Sequence, residues 1–253
     1  MTKTIAFHLQ KGGVGKTTIS GTLACQSALA GIPTLLVDLD PQGNASSWFL
    51  QETPKWELSD VVQGKCYPSD AIIKVEHIPN LYVLPTFGIG GTLKLYSETK
   101  LADEPFVIQD LINEFKGKYK HVILDLSPGL GRLERSALIA SDEVITPMTP
   151  EAFSLDGLEI FIDELNRLKK NFRAAVKHDK VIINSYDSRI RQHREIYKAA
   201  NKGNFRIYQI QVDPIFRKSQ DTKVAPQLFK EKGKGLKEKT KYTFEEMESE
   251  IWR

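Results

Sequence analysis

The densest chemistry in the sequence lies near its start, in Lys11-Gly-Gly-Val-Gly-Lys-Thr-Thr18. Glycines at 12, 13 and 15 let a backbone wrap closely around phosphate oxygens and aim successive N–H groups at them. A helix opening near Lys16 adds its positive N-terminal dipole. In such a loop Gly12, Gly13, Val14, Gly15 and Thr18 belong to the nucleotide-binding set, Lys16 contacts the β- and γ-phosphates, and the Thr17 hydroxyl binds Mg²⁺. The usual pattern has glycine at position 10, where this chain has Gln10, and a lysine, Lys11, opens the loop. A Gly-rich turn alone also serves any tight strand-to-helix connection. Here a strand-like Thr4-Ile-Ala-Phe-His8, the loop and a helical run follow in the required order, with the Lys-Thr pair in place, which favours the phosphate reading.

Two carboxylate motifs point to the same place. Asp38-Leu-Asp40-Pro-Gln-Gly-Asn44 follows the second strand, and Asp125 closes the third clear buried strand. Both belong at the carboxyl edge of a parallel sheet, beside the loop. An isolated strand-end Asp is more often a helix cap or a turn former. Three such elements converging on one phosphate site argue against that.

The elements that must position these groups alternate along the chain. A strand (about 3–9), a helix (about 16–30) ended by Gly31, and the buried strand Thr34-Leu-Leu-Val-Asp38 form a βαβ unit. Apolar runs follow at 81–84, 121–125, 143–146, 180–184 and 205–210, separated by helical spacing at 106–115 and 155–168. The pattern predicts an α/β fold with a doubly wound, mostly parallel sheet, a P-loop NTPase of the deviant-Walker type. With 253 residues, 41% hydrophobic, the chain is expected to be a single ATPase domain over 1–253. The Lys/Gly-rich stretch 230–241 reads as a mobile loop, and 242–253 as a short acidic C-terminal helix.

Charge and composition narrow the function classes. The net charge of +3 conceals 21 Lys and Arg against 7 Asp and Glu between Arg167 and Lys241, so the last third is strongly basic. No run of 18 apolar residues is present, and the N-terminus enters a strand at once, so neither a membrane span nor a signal peptide is expected. Cys25 and Cys66 lack metal-ligand spacing, and Cys25 sits in a helical run, so they read as buried thiols.

With these motifs in hand, the chain resembles the ParA-type partition ATPases, in the deviant-Walker group that includes MinD and the nitrogenase iron protein. It resembles the short form, without an N-terminal helix-turn-helix domain. The likeness extends from the loop and the 38–44 block through Ile123-Leu-Asp-Leu-Ser-Pro-Gly-Leu-Gly131, Ala137 to Pro147 and Glu151-Ala-Phe-Ser-Leu-Asp-Gly-Leu158. It is weaker over 183–189 and 212–220, and poor over 51–109. The resemblance implies that Lys11 crosses a dimer interface and neutralises charge on the nucleotide bound opposite, alongside Lys16. It implies that Asp40 positions the attacking water and that Asp38 and Asp125 support Mg²⁺, Asp125 through water. Asn184 and Pro214 lie where such proteins contact adenine, with Asp213 in a place usually held by proline; Ser127 likewise replaces the first proline of the Asp-x-Pro-Pro turn.

Arg189, Arg191, Arg194, Arg217, Lys218 and Lys223 fall near the family's DNA-contacting region. For an arbitrary cluster a solvated basic face would be the plainer reading, but the resemblance implies nonspecific DNA binding by an ATP-bound homodimer, released when a ParB-type partner stimulates slow hydrolysis, in a cytoplasmic, nucleoid-associated protein. Three alternatives share parts of this pattern. An orphan relative positioning a protein cargo would carry every motif. A MinD-like membrane switch needs a basic amphipathic C-terminus, whereas this one carries four Glu between 245 and 250. An iron-protein reductase needs cluster-bridging cysteines, and a ligase needs a substrate pocket not visible in the sequence.

Overall fold

The computed structural model describes residues 1–101, 104–229 and 235–252. Its strands are β1 (Lys3–Phe7), β2 (Thr34–Leu39), β3 (Ile73–Lys74), β4 (Leu81–Leu84), β5 (His121–Leu126), β6 (Glu143–Met148), β7 (Lys177–Ile183) and β8 (Arg206–Gln209). They form one sheet in the order β3-β4-β2-β5-β1-β6-β7-β8. Every pairing is parallel except the short β3 against β4.

The helices are α1 (Lys16–Leu29), α2 (Asn44–Phe49), α3 (Leu58–Val62), α4 (Pro68–Ala71), α5 (Leu93–Thr99), α6 (Val107–Glu114), α7 (Arg132–Ala140), α8 (Ala152–Phe172), α9 (Arg191–Ala200), α10 (Ile215–Thr222) and α11 (Glu238–Ile251). They cover both faces because successive strand side chains point to opposite sides. Ile5, Phe7, Leu36, Ile123, Ile145 and Ile182 enter the core beneath α1, α2 and α11. Their neighbours Ala6, Leu35, Val37, Val122, Leu124, Val144 and Val181 enter the other, beneath α6, α7 and α8. Both faces of the central strands are apolar, as a doubly covered parallel sheet demands.

The C-terminal helix begins earlier than its sequence suggests. Residues 238–241, expected in the loop, form the first turn of α11, while 230–234 lie outside the described residues. Thr240, Phe244, Met247 and Ile251 are buried at spacings that keep one helix face on the sheet. The end is held by Trp252, whose ring stacks on His121 at 3.6 Å and 7°. Three of the four glutamates are engaged as well: Arg206 donates to Glu246 at 2.6 Å and to Glu250 at 2.8 Å, and Lys241 pairs with Glu245 at 3.7 Å. The apolar face of this helix is therefore part of the core.

Candidate active site

The strand order reverses around β1, whose neighbours are β5 and β6. That is where open α/β sheets place ligands, outside the carboxyl ends of the strands. Register brings the carboxylates level: Asp125 on β5 pairs with Phe7 on β1 and with Asp38 on β2. Residues far apart in sequence thus meet at the loop that leaves β1.

In the loop, Gly13 and Gly15 take φ of 74° and 94°, left-handed conformations that favour glycine. Gly15 caps α1 and Lys16 is its first residue. The Lys16 side chain is folded inside the loop, its Nζ donating to the carbonyls of Lys11 at 2.9 Å and Leu9 at 3.3 Å. Burial lowers its pKa, while Asp125, Asp40 and Glu134 pull the other way. An ammonium held by carbonyls among three carboxylates can exchange those partners for phosphate oxygens.

Burial also governs the two strand-end carboxylates. Asp38 is pushed up to about 8, by burial first and by the charge of Asp125 next. Asp125 is pushed up to about 6 by burial, against the Thr17 and Ser20 hydroxyls. Their bonding differs. Asp38 Oδ2 accepts from Ser46 N at 2.8 Å and Ser46 Oγ at 2.7 Å, and its Oδ1 from Asp40 N at 3.2 Å. Asp125 Oδ1 accepts from Ser20 Oγ at 3.0 Å, but its buried Oδ2 has no partner. A divalent cation would offset the repulsion, and Asp125 with Thr17 fits one better than Asp38, whose oxygens brace a turn. Among the described residues no group of three or more His, Cys, Asp and Glu could hold a metal ion.

Asp40 is 7% exposed at the start of the β2–α2 turn, where its Oδ1 accepts from Gln42 N at 2.9 Å. Lys11 sits at the loop's mouth, and its Nζ donates to Glu151 Oε2 at 2.6 Å, Ser154 Oγ at 2.9 Å and Thr149 Oγ1 at 3.3 Å. These three acceptors lie at or just before the start of α8, so the single chain turns Lys11 onto itself. The sequence quotes Glu151 and Ser154 in a motif but gives them no such task.

Asn184 lies at the end of β7, beside the phosphate loop. Its Nδ2 donates to Val14 O at 3.0 Å, which braces the phosphate loop from the end of β7. Pro214 caps α10, a helix tied to the loop's end by Gln220 Nε2 donating to Thr18 Oγ1 at 3.0 Å. Asp213, in a usual proline place, accepts from Lys237 N at 2.8 Å and so fixes the approach to α11. The Ser127 hydroxyl bonds Glu134, whose other oxygen accepts from Gly131 N at 2.8 Å. That pair holds the turn after β5 without the proline.

A family model described as an AAA domain matches residues 2–178. The chain is 34% identical over 200 residues to the chromosome-partitioning ATPase Soj of Treponema pallidum, covering 78% of this chain and 77% of that one. The chain belongs to the ParA-type partition ATPases. Within this family it is also 36% identical over 221 residues to the uncharacterized protein BBD21 of Borreliella burgdorferi, covering 86% and 88% of the two chains. Among solved structures, a septum site-determining protein MinD from Pyrococcus horikoshii complexed with Mg-ADP matches with a TM-score of 0.79 at 25% identity, covering 99% of this chain and 96% of that one.

The six basic residues marked for DNA fare differently from the ParA-type phosphate site. Arg189 is tied to Asp187 at 2.7 Å and Arg191 to Glu195 at 2.7 Å, both with highly exposed side chains. Arg194 donates to the carbonyls of Ser188 and Arg189 at 2.6 and 2.9 Å. Lys218 lies over the Phe229 ring at 5.0 Å, and Arg217 is exposed on α10. Lys223 turns inward, donating to Leu50 O at 2.8 Å, so it joins α10 to the end of α2. Among the described residues no helix is long and apolar enough to cross a membrane.

Proposed function

We propose that this chain is a Mg-ATP-dependent switch. In this reading it dimerises on ATP, binds DNA without sequence preference, and leaves it when a partner of the ParB type stimulates hydrolysis, in plasmid or chromosome partition on the nucleoid. The observation that carries the reading is the meeting of Lys16, Thr17, Asp40 and Asp125 at one sheet edge, with Lys11 held by Glu151 at its mouth.

The chemistry is phosphoryl transfer to water, in which positioning and charge stabilisation do most of the work. The loop amides and Lys16 hold the β- and γ-phosphates. Thr17 and Asp125 would hold Mg²⁺, which neutralises charge between those phosphates. Asp40 orients the attacking water in line with the bond that breaks. Lys11 leaves Glu151 and reaches the γ-phosphate bound to a second copy, adding positive charge where negative charge grows, as an arginine finger does. Dimerisation and hydrolysis are then coupled by one side chain. Arg189, Arg191, Arg194, Arg217 and Lys218 supply phosphate contacts along DNA.

The test is ATP turnover with and without nonspecific duplex and a candidate ParB-type partner. Slow turnover raised most by both together is expected. Fast turnover indifferent to both would reject the switch.

A further inference from the structure

The stretch that least resembles the family, 51–109, contains a buried carboxylate with no assigned task. Glu57 is 1% exposed and immediately precedes α3. Its oxygens face a loop thirty residues downstream. Oε2 accepts from Phe87 N at 2.8 Å, and Oε1 from Thr92 N at 2.7 Å, from Ser59 Oγ at 2.6 Å and from Thr92 Oγ1 at 3.2 Å. One side chain therefore grips both ends of the segment between β4 and α5. A hydrogen bond is stronger away from water, and a buried acceptor that takes several donors holds them firmly.

The gripped segment lies against the turn that carries Asp40. A methyl group added at Gly43 would stand 2.8 Å from Gly88 N and from Thr86 O, and one added at Gly88 would stand 2.6 Å from Gln42 O. Both glycines have positive φ, 66° and 73°. The two backbones touch with no room for a side chain between them. Thr86 completes the contact, its hydroxyl donating to Asp38 O at 2.7 Å and its N–H to Ser46 Oγ at 2.8 Å. Asp40 itself bonds within this turn, through Gln42 N and, by its carbonyl, Gly43 N at 2.9 Å.

We propose that Glu57 is a positioning residue for hydrolysis, clamping the Phe87–Thr92 loop so that it backs the Asp40–Gly43 turn and holds the Asp40 carboxylate where it orients water. This rests on the reading of Asp40 given above. The Glu57 carboxylate is occupied by Ser59, Phe87 and Thr92, so it acts through the loop on the transition state, in which water placement is exacting, and leaves ground-state binding of the nucleotide intact. Glutamine at 57 keeps the shape but offers its amide N–H₂ to one of two backbone donors, so one end of the loop is released.

The experiment uses the full chain in excess over Mg-ATP, at concentrations above its Kd for ATP. Single-turnover hydrolysis, calorimetric ATP affinity and melting temperature are measured for Glu57→Gln, Gly88→Ala, Asp40→Ala and the exposed control Glu52→Gln. Glu57→Gln and Gly88→Ala are each expected to slow hydrolysis about 10-fold or more, with ATP affinity within about twofold. Their double variant should be no slower than the worse single one, because both loosen the same contact. Glu52→Gln should match the wild type. A wild-type rate in Glu57→Gln, or a rate loss that follows a parallel loss of affinity, overturns the clamp. If Glu57→Gln does not fold, Gly88→Ala decides by the same two criteria. Asp40→Ala separates the failures: wild-type turnover there rejects the reading of Asp40 itself, whereas an inactive Asp40→Ala beside fully active Glu57→Gln and Gly88→Ala rejects only the clamp.

Discussion

The phosphate end of the molecule and its basic third are built on opposite terms. At the sheet edge Lys16, Asp38 and Asp125 are buried; Lys16 is held by two backbone carbonyls, Asp38 by three donors of its own turn, and Asp125 leaves one oxygen without a partner. Around α9 and β8 the charges are exposed, and acids of the same region already answer several of them, as Asp187 does Arg189 and Glu246 does Arg206. A buried charge must have a reason to be there, because desolvation is expensive without compensation. An exposed one needs none, since surface pairs contribute little. Function is therefore legible from single residues in the first region and only from their joint action in the second.

Substitutions should separate the regions by size of effect. The largest is Lys16→Ala, which removes the main positive charge on the β- and γ-phosphates. ATP affinity measured by calorimetry should fall about 100-fold or more, equivalent to about 2.7 kcal/mol; near-normal affinity would sink the phosphate assignment. Lys11→Ala comes next. Nucleotide binding should persist while hydrolysis drops about 100-fold, the lower end of the range for loss of a group that stabilises charge in the transition state, and light scattering should show no ATP-dependent dimer. A dimer that forms and turns over normally would confine Lys11 to its contact with Glu151.

The basic third should respond more gently and collectively. Replacing Arg189, Arg217 and Lys218 together with Glu should weaken binding to two unrelated duplexes alike and flatten the salt dependence, each lost phosphate contact removing about 0.9 from the log–log slope. Binding in the wild type should require ATP, since a dimer joins two weak sites. A strong preference for one duplex, or survival of binding in the variant, would return these residues to a solvated face. The smallest effect concerns pH. Burial lowers His121 and His178 to about 4 and His8 to about 3. Through these three histidines the unfolded chain takes up protons below about 6.5 that the native state refuses, so their contribution to stability falls as pH drops from about 6.5 towards 4, against an opposite contribution from Asp38 and Asp125, whose raised pKa values make the native state bind protons first. His121→Phe retains the stack on Trp252 and should make that fall in melting temperature shallower, by about 2–4 °C for each kcal/mol removed. An unchanged profile would mean that His121 titrates normally.

Much of this could be read in advance, for physical reasons. The loop, Asp38, Asp40 and Asp125 were visible because glycine, lysine and strand-end carboxylates in that order have few other uses. The sheet was visible because strands covered on both faces are apolar throughout. Less legible were features defined by distant partners. Nothing local at Glu57 announces donors at Phe87 and Thr92. The two-residue β3 is too short to carry a period. The start of α11 was hidden by its lysines, although Thr240 among them is buried. In the basic third the spacing did hold a signal: Arg191 and Glu195 stand one helical turn apart, the separation at which opposite charges pair. The same kind of local pairing explains why a count of lysines and arginines overstates the positive field that region presents.

The rims of the sheet bear on how copies of this chain can assemble. At one rim β3 is two residues long and runs against its neighbour; at the other β8 has four residues and opens with Arg206, held between two glutamates. Long, flat, apolar rims invite another chain to add a strand and continue the ladder, and short charged ones discourage it. Side-by-side extension of the sheet is thus a poor route to higher order. Ordered polymers of this protein, where they form, would grow through contacts between helices and loops, and would come apart without any backbone ladder having to be unzipped.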